Sequence, residues 1–222
     1  MWERSQEGTI PYMISTPTIR PYRPGDRDAL DDICIRTAHN GLDIRPVYAD
    51  PSILPATFAA PYVHLEPDLA FVLDDGTGSA VGYILGTADT PRFAEEFRTT
   101  WLPLVAARYP EPSGEPGTPD EVMARLLHHP ERMVLPELAG YPAHLHIDLL
   151  PEWQGRGFGR ELMRTFLRAL RDRGVPAVHL VMANANKPAR TFYDRMGFEV
   201  LDVPMDASVT CLGRPTADPD RP

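Results

Sequence analysis

Two stretches of the chain combine residue types at spacings that suit chemistry. The first is Gln154-Gly155-Arg156-Gly157-Phe158-Gly159, which follows an apolar run ending at Leu150 and leads into Arg160 and an amphipathic segment. Alternating glycines let a backbone turn tightly and leave no side chain in the way of a ligand. The amides of residues 155–160 would then point at an anion, joined by the unpaired N–H groups and positive dipole end of the following helix. That is a pyrophosphate cradle without a lysine. The order G-x-x-x-x-G-K-[ST] of a Walker A loop and the G-x-G-x-x-G dinucleotide fingerprint are both absent. On its own, the same stretch also reads as an ordinary glycine-rich turn between a strand and a helix.

The second stretch is Asn186-Lys187-Pro188-Ala189 followed by Phe192-Tyr193-Asp194-Arg195-Met196-Gly197-Phe198. Asn as cap and Pro in the first turn start a helix. Asn186 is placed to hydrogen-bond an amide of an extended ligand arm, and Tyr193 lies one helical turn from Ala189, on a face with Met196. Read structurally, Asn186 is a cap and Tyr193 a packed tyrosine with a bonded tip. A third group, His144, His146 and Asp148, alternates along one apolar run and so shares one face of a strand. As metal ligands these three lack supporting residues and a specific spacing, and no metal is expected. They read either as polar residues satisfied beneath a covering segment or as an acid–base cluster. Asp89 ends a strand expected to pair antiparallel with this one, near its His144 end. His128-His129 reads as a solvated helix end.

The elements that position these residues follow from periodicity and turn chemistry. Residues 18–22 form a short strand, and Pro24-Gly25-Asp26 opens a helix capped by Asp26, with Leu30, Ile33 and Cys34 on its buried face. Residues 41–68 are proline-rich, with one short helix near 52–59. A hairpin joins strands 69–73 and 80–87 through Asp74-Asp75-Gly76-Thr77-Gly78. Residues 90–143 are too long for a bare connection. They are expected to form a helical lid or subdomain, with Phe97, Trp101 and Leu104 on one face and a break at Pro103. A strand at 143–150 precedes the glycine loop. A helix at 160–173 buries Leu162, Met163, Phe166, Leu167 and Leu170. Strand 177–182, helix 188–196 and closing strands 198–203 and 208–212 complete one domain over 18–212, between a loose leader (1–17) and a tail (213–222).

The 222 residues carry a net charge of −9, with an isoelectric point near 5.2. This balance argues against nucleic acid or an anionic membrane as partner and mildly favours a basic one. Cys34 and Cys211 are too few and too far apart for a disulfide framework, and neither sits in a nucleophile motif, so no acyl-enzyme is expected. Residues 1–17 lack the features of a signal peptide, and no run approaches a membrane span. The expected compartment is the cytoplasm.

Together, the order of elements, Q-x-x-G-x-G and N-x-x-A-x-x-x-Y-x-x-x-G-F resemble the GNAT superfamily of N-acetyltransferases over about residues 18–212. The resemblance implies an α/β (α+β) fold whose mostly antiparallel sheet is splayed between its fourth and fifth strands, with helices on both faces. Acetyl-CoA would lie in the splay, with its pyrophosphate on the residue 155–160 amides and its pantetheine along Leu149 and Leu150. Asn186 would touch the pantetheine and Tyr193 would face the sulfur. A narrower resemblance, to the acetyltransferase-like C-terminal domain of animal O-GlcNAcase, rests on residues 81–89, Trp101-Leu102-Pro103, Val134-Leu135-Pro136-Glu137 and Ile147-Asp148. It bears on fold and site location rather than on substrate.

The implied reaction is direct attack of a neutral amine on the thioester. The Leu149 N–H would polarise the carbonyl, and Tyr193 would serve as the leaving-group acid. Many GNAT relatives place a base at positions equivalent to Ala143 or Leu145, which are apolar here. Asp148 serves if a bulge re-aims it; otherwise the base is Asp89 acting through water. The rival readings are a non-catalytic acetyl-CoA-binding or interaction module and a structural α/β domain without ligand. The acceptor is a small amine or a protein lysine, and the chain is a monomer or homodimer.

Overall fold

In the computed structural model, which describes residues 16–217, Arg20 on strand β1 (Thr18–Pro21) ties the start of the fold together. Its guanidinium bonds both Asp26 oxygens at 2.7 and 2.8 Å and Asp74 at 2.8 Å. Asp26 stands just before helix α1 (Arg27–Thr37), but its carboxylate accepts from Arg20 and from the Arg23 N–H at 2.8 Å instead of capping α1. Asp74 closes the hairpin between β2 (Ala70–Asp74) and β3 (Ala80–Thr87) by accepting the Gly76 and Gly78 amides at 2.8 and 3.0 Å.

Between β1 and β2 the proline-rich stretch forms two short helices, α2 (Ile53–Phe58) and α3 (Ala60–Leu65), where one was expected. Ala59, at φ −129°, breaks them, and Pro61 starts the second. The insertion continues the same layer with α4 (Thr90–Glu96), a π-helical turn (Phe97–Trp101), α5 (Leu102–Val105) and α6 (Pro119–His128). The π turn precedes Pro103, which has no N–H for the helical ladder. Its extra residue rotates the helical turn beyond it, so Phe93, Phe97 and Trp101 are buried while Leu104 is 64% exposed, against the expected face. His128 is also less solvated than expected, because its Nε2 bonds the Tyr109 carbonyl at 2.7 Å.

After the insertion come β4 (Ala143–Leu149), α7 (Phe158–Asp172), β5 (Ala177–Ala183), α8 (Lys187–Arg195), β6 (Glu199–Val200) and β7 (Val209–Pro215). β7 thus runs past the expected domain limit at 212. It pairs with β5 through Pro215, and Arg214 is buried. The expected leader lies outside the described residues up to 15, as does the tail beyond 217.

The seven strands form one sheet in the order β1-β2-β3-β4-β5-β7-β6. Among the described strands only β4 and β5 run parallel. α7 packs under β1 to β4, while α1 and α3 cover the other face of β3. The α7 stripe Leu162, Met163, Phe166, Leu167 and Leu170 is fully or nearly fully buried, as the periodicity required. No helix among the described residues is long and apolar enough to cross a membrane.

Gly86 sets how closely α7 approaches the sheet, because a Cβ there would collide with the Phe166 ring and with the His144 carbonyl oxygen across the ladder. Gly86→Ala is expected to destabilise the protein by about 1–3 kcal/mol, lowering Tm by roughly 2–4 °C per kcal/mol. Gly140→Ala, where a Cβ meets nothing within 4 Å, is expected to stay within about 0.5 kcal/mol of the parent. Thermal denaturation of the pair checks this.

Candidate active site in the open edge of the sheet

The parallel ladder between β4 and β5 has two residue pairs, Ala143 with Val178 and His144 with His179. Beyond them the strands part. β3 holds β4 in unbroken register from Thr87↔His144 to Gly82↔Leu149, and β7 holds β5 as far as Ala183. The Leu150 N–H donates to the Val81 carbonyl at 3.0 Å. Antiparallel alternation therefore turns the backbone groups of His144, His146 and Asp148 toward β3, and those of Leu145, Ile147 and Leu149 toward the gap. Leu150, expected with Leu149 to lie along the pantetheine, has its N–H taken by Val81 and turned away from the gap, whereas Leu149 faces the opening.

At the wide end of the gap, Gly155 and Gly157 take φ +69° and +92°, left-handed values that glycine adopts without strain. The N–H groups of residues 155–159 find no acceptor among the described residues. Those of Arg160 and Glu161 are taken by the Gly157 carbonyl at 3.1 and 3.3 Å, so the row of free donors stops one residue earlier than expected. These free donors open a helix of 15 residues, and a Cβ at Gly155 or Gly157 would meet nothing within 4 Å. The loop fits a phosphate group on both counts. Arg156 stacks its guanidinium over Trp153 and Phe158 at 4.6 and 5.4 Å, and Arg160 is exposed beside it. The Gln154 amide donates to the Leu149 carbonyl at 2.8 Å, tying the loop to the end of β4.

On the β5 side, the Asn186 Oδ1 accepts the Ala189 N–H at 3.1 Å and caps α8, while its Nδ2 finds no acceptor among the described residues. Ala189 packs half-buried against the core. Phe192 lays its ring against Gly159, joining α8 to the start of α7. Tyr193 is buried, and its hydroxyl is held well above the usual phenol value by that burial and by the Asp148 charge.

The polar face of β4 carries no bulge, so Asp148 stays on the face of His144 and His146. It accepts the Tyr83 hydroxyl at 2.7 Å. Burial pushes its carboxyl up to about 6, against the opposing pull of the Tyr83 and Thr37 hydroxyls. Cys34 lies beside it, fully packed, with its thiol pushed up by burial and held protonated. The histidines join a hydrogen-bonded chain. Thr90 Oγ1 meets His144 Nδ1 at 2.8 Å, and the Tyr62 hydroxyl meets His144 Nε2 at 2.7 Å and His146 Nε2 at 3.0 Å. Burial pushes His144 well below its usual value and His146 to about 4. Over this chain and the parted strands lies a cavity of about 410 Å³, bounded by Phe58, Tyr62, Arg132, His146, Leu180 and Met205 among others.

Asp89 takes no part in this arrangement. It is exposed, and its carboxylate caps α4 by accepting the Arg92 N–H at 3.0 Å. It stands at the closed end of the sheet beside Thr90, with the length of β4 from His144 to Asp148 between it and the site, about 13 Å at ~3.3 Å per residue. Tyr62, Tyr83 and Arg132 were missed as site residues. None belongs to a spaced motif, and long-range packing alone brings them to β4.

A mixed sheet parted at its parallel junction, with free helix-terminal amides at the wide end, is the arrangement that the GNAT resemblance implied. Residues 122–198 match the acetyltransferase (GNAT) family. The crystal structure of SsHAT shares 67% sequence identity at a TM-score of 0.89, covering 91% of this chain and 100% of that one. Protein O-GlcNAcase of Rattus norvegicus is 29% identical over 203 residues, 89% of this chain and 22% of that protein, so the chain spans about a fifth of this relative's length. Mycothiol acetyltransferase of Nocardiopsis dassonvillei is 48% identical over 52 residues, 23% of this chain and 16% of that protein. The chain belongs to the GNAT acetyltransferase family.

The raised Asp148 carboxyl makes stability depend on pH. Its folded value of about 6 exceeds the ordinary 3.8, so the folded state holds the proton more tightly. That stabilisation is complete below about 3.9 and is lost as pH rises through about 6. Asp148→Asn removes the loss. Its Tm relative to the parent is expected to be higher at pH 7.5 than at pH 4.5, as differential scanning calorimetry at the two pH values checks.

Proposed function

We propose that this protein is an acetyl-CoA-dependent N-acetyltransferase that moves the acetyl group to a primary amine by direct attack. The observation that carries the reading is the gap between β4 and β5, with free donors along one wall and at its mouth. The residue 155–159 amides, with Arg156 and Arg160 alongside, hold the pyrophosphate. The Ile147 and Leu149 backbone groups receive the pantetheine as a further strand, and the free Nδ2 of Asn186 donates to it from the β5 side. Gln154 and Ala189 shape the walls without bonding the donor.

In the transfer, the Leu149 N–H polarises the thioester carbonyl. Asp148 accepts the proton of the attacking amine through water, because without a bulge its carboxylate stays on the polar face of β4. At pH 7 a carboxyl near 6 is ionised yet basic enough to take part, which an ordinary exposed aspartate is not. The new C–N bond forms, the C–S bond breaks and the sulfur leaves with the electron pair. Tyr193 is held above a phenol's ordinary value of about 10, whereas a thiol's is about 8.5. Full transfer of its proton to the thiolate is therefore uphill, and it acts by donating a hydrogen bond to the departing sulfur.

Two variants test the reading, with free-thiol release as the assay. Gly157→Glu places bulk and negative charge in the cradle and is expected to weaken acetyl-CoA binding at least tenfold, about 1.4 kcal/mol; unchanged calorimetric affinity in the folded variant removes the cradle. Tyr193→Phe keeps the ring and is expected to lower kcat with little change in acetyl-CoA affinity; parental turnover removes the role of its hydroxyl. Acetyl-CoA binding without thiol release from any amine would make the protein a binding module instead.

A further inference from the structure

The cavity over the parted strands has an unusual balance of charge for a site that receives an amine. No aspartate or glutamate lines it. Its histidines, His144, His146 and His179, are all pushed toward the neutral form by burial. The one fixed charge in the lining is Arg132. Its Nε donates to the Leu126 carbonyl at 3.2 Å, and among the described residues no carboxylate lies within ion-pair distance of its guanidinium. The neighbouring Glu131 is engaged by Arg98 and by His129. The Arg132 charge also reaches the cavity floor, where it helps depress both His144 and His146.

An alkylammonium group entering this space meets the Arg132 charge, and no carboxylate of the lining pairs with a second cationic group such as that of a simple diamine. A guanidinium whose terminal N–H donors find no carboxylate among the described residues is the pattern that receives a planar anion by a two-pronged contact. Apart from Thr57 and Tyr62, the remaining walls, Phe58, Phe97, Leu180 and Met205 among them, are apolar. A volume of about 410 Å³ falls in the range of small-molecule sites. Resting on the acetyltransferase reading above, we infer that the acceptor is a small amine bearing a carboxylate and an apolar body, and that Arg132 selects it by pairing with the carboxylate. The overall charge of −9, which on its own favours a basic partner, does not describe this cavity.

The test uses the full chain with acetyl-CoA and matched acceptors: leucine and phenylalanine, their amides, their decarboxylated amines, and a lysine peptide. The carboxylate acceptors are expected to exceed their amides at least tenfold in kcat/KM. Arg132→Gln is expected to erase that preference by raising KM for the carboxylates, leaving kcat, the amides and acetyl-CoA affinity nearly unchanged. As a readout independent of turnover, calorimetric binding of N-acetylleucine to the parent and not to Arg132→Gln supports the same assignment. Preference for the decarboxylated amines or the lysine peptide, unaltered in Arg132→Gln, overturns this inference while the acetyltransferase reading stands. Bound acetyl-CoA with no thiol release from any acceptor overturns both.

Discussion

Two residue pairs, Ala143 with Val178 and His144 with His179, join the halves of the sheet through its parallel ladder. Everything that makes this fold a site depends on how early that ladder ends. Neither strand is free to swing and close the gap. β3 pairs with β4 along its length from His144, and β7 pairs with the whole of β5. Each strand therefore keeps one satisfied edge and one open edge. Backbone N–H and C=O groups need partners, and an open strand edge readily accepts an extended chain. The gap is a rigid slot with unmet hydrogen-bonding capacity, and a pantetheine-like arm with amides of its own is the kind of ligand that meets it.

Charge is arranged around this slot by position, independently of the net balance. The wide end presents amide dipoles and arginine, suited to phosphate. The middle holds Asp148 and Tyr193, whose values are each raised by burial. The closed end holds the Thr90–His144–Tyr62–His146 chain, whose rings are neutral because burial disfavours their charge. A donor entering from the loop side thus passes from a positive mouth to a region where the Asp148 charge acts on the buried Tyr193 hydroxyl.

The parts legible in the sequence were those fixed by local physics. Glycines at positive φ between a strand and an amphipathic helix leave few other conformations, so the cradle at 155–159 was readable, and so was the α7 stripe. The hairpin at Asp74–Gly78 was equally plain. The parts that escaped depend on contacts distant in sequence or on a shift of register by one residue. The π turn before Pro103 rotated Leu104 outward. The alternation fixed by the Leu150–Val81 bond turns the Leu150 N–H away from the slot, and it keeps Asp148 on the polar face without the bulge that was one of the two alternatives. Asp89 has the right residue type at the wrong end of β4. Tyr62 lies in the short α3 and Arg132 in the turn 130–133, both in proline-rich stretches too short to show periodicity, and only tertiary packing brings them to the strand.

The central claim is that the slot between β4 and β5 and the amides at its mouth hold acetyl-CoA. Amide hydrogen exchange resolved by residue, with and without acetyl-CoA, addresses it most directly, because the donors concerned are backbone N–H groups with no acceptor among the described residues. The account predicts that acetyl-CoA slows exchange at residues 155–159 and at Ile147 and Leu149, while Leu150, already bonded to Val81, changes little. Protection confined to other parts of the surface, or none at these amides at saturating acetyl-CoA, would contradict it.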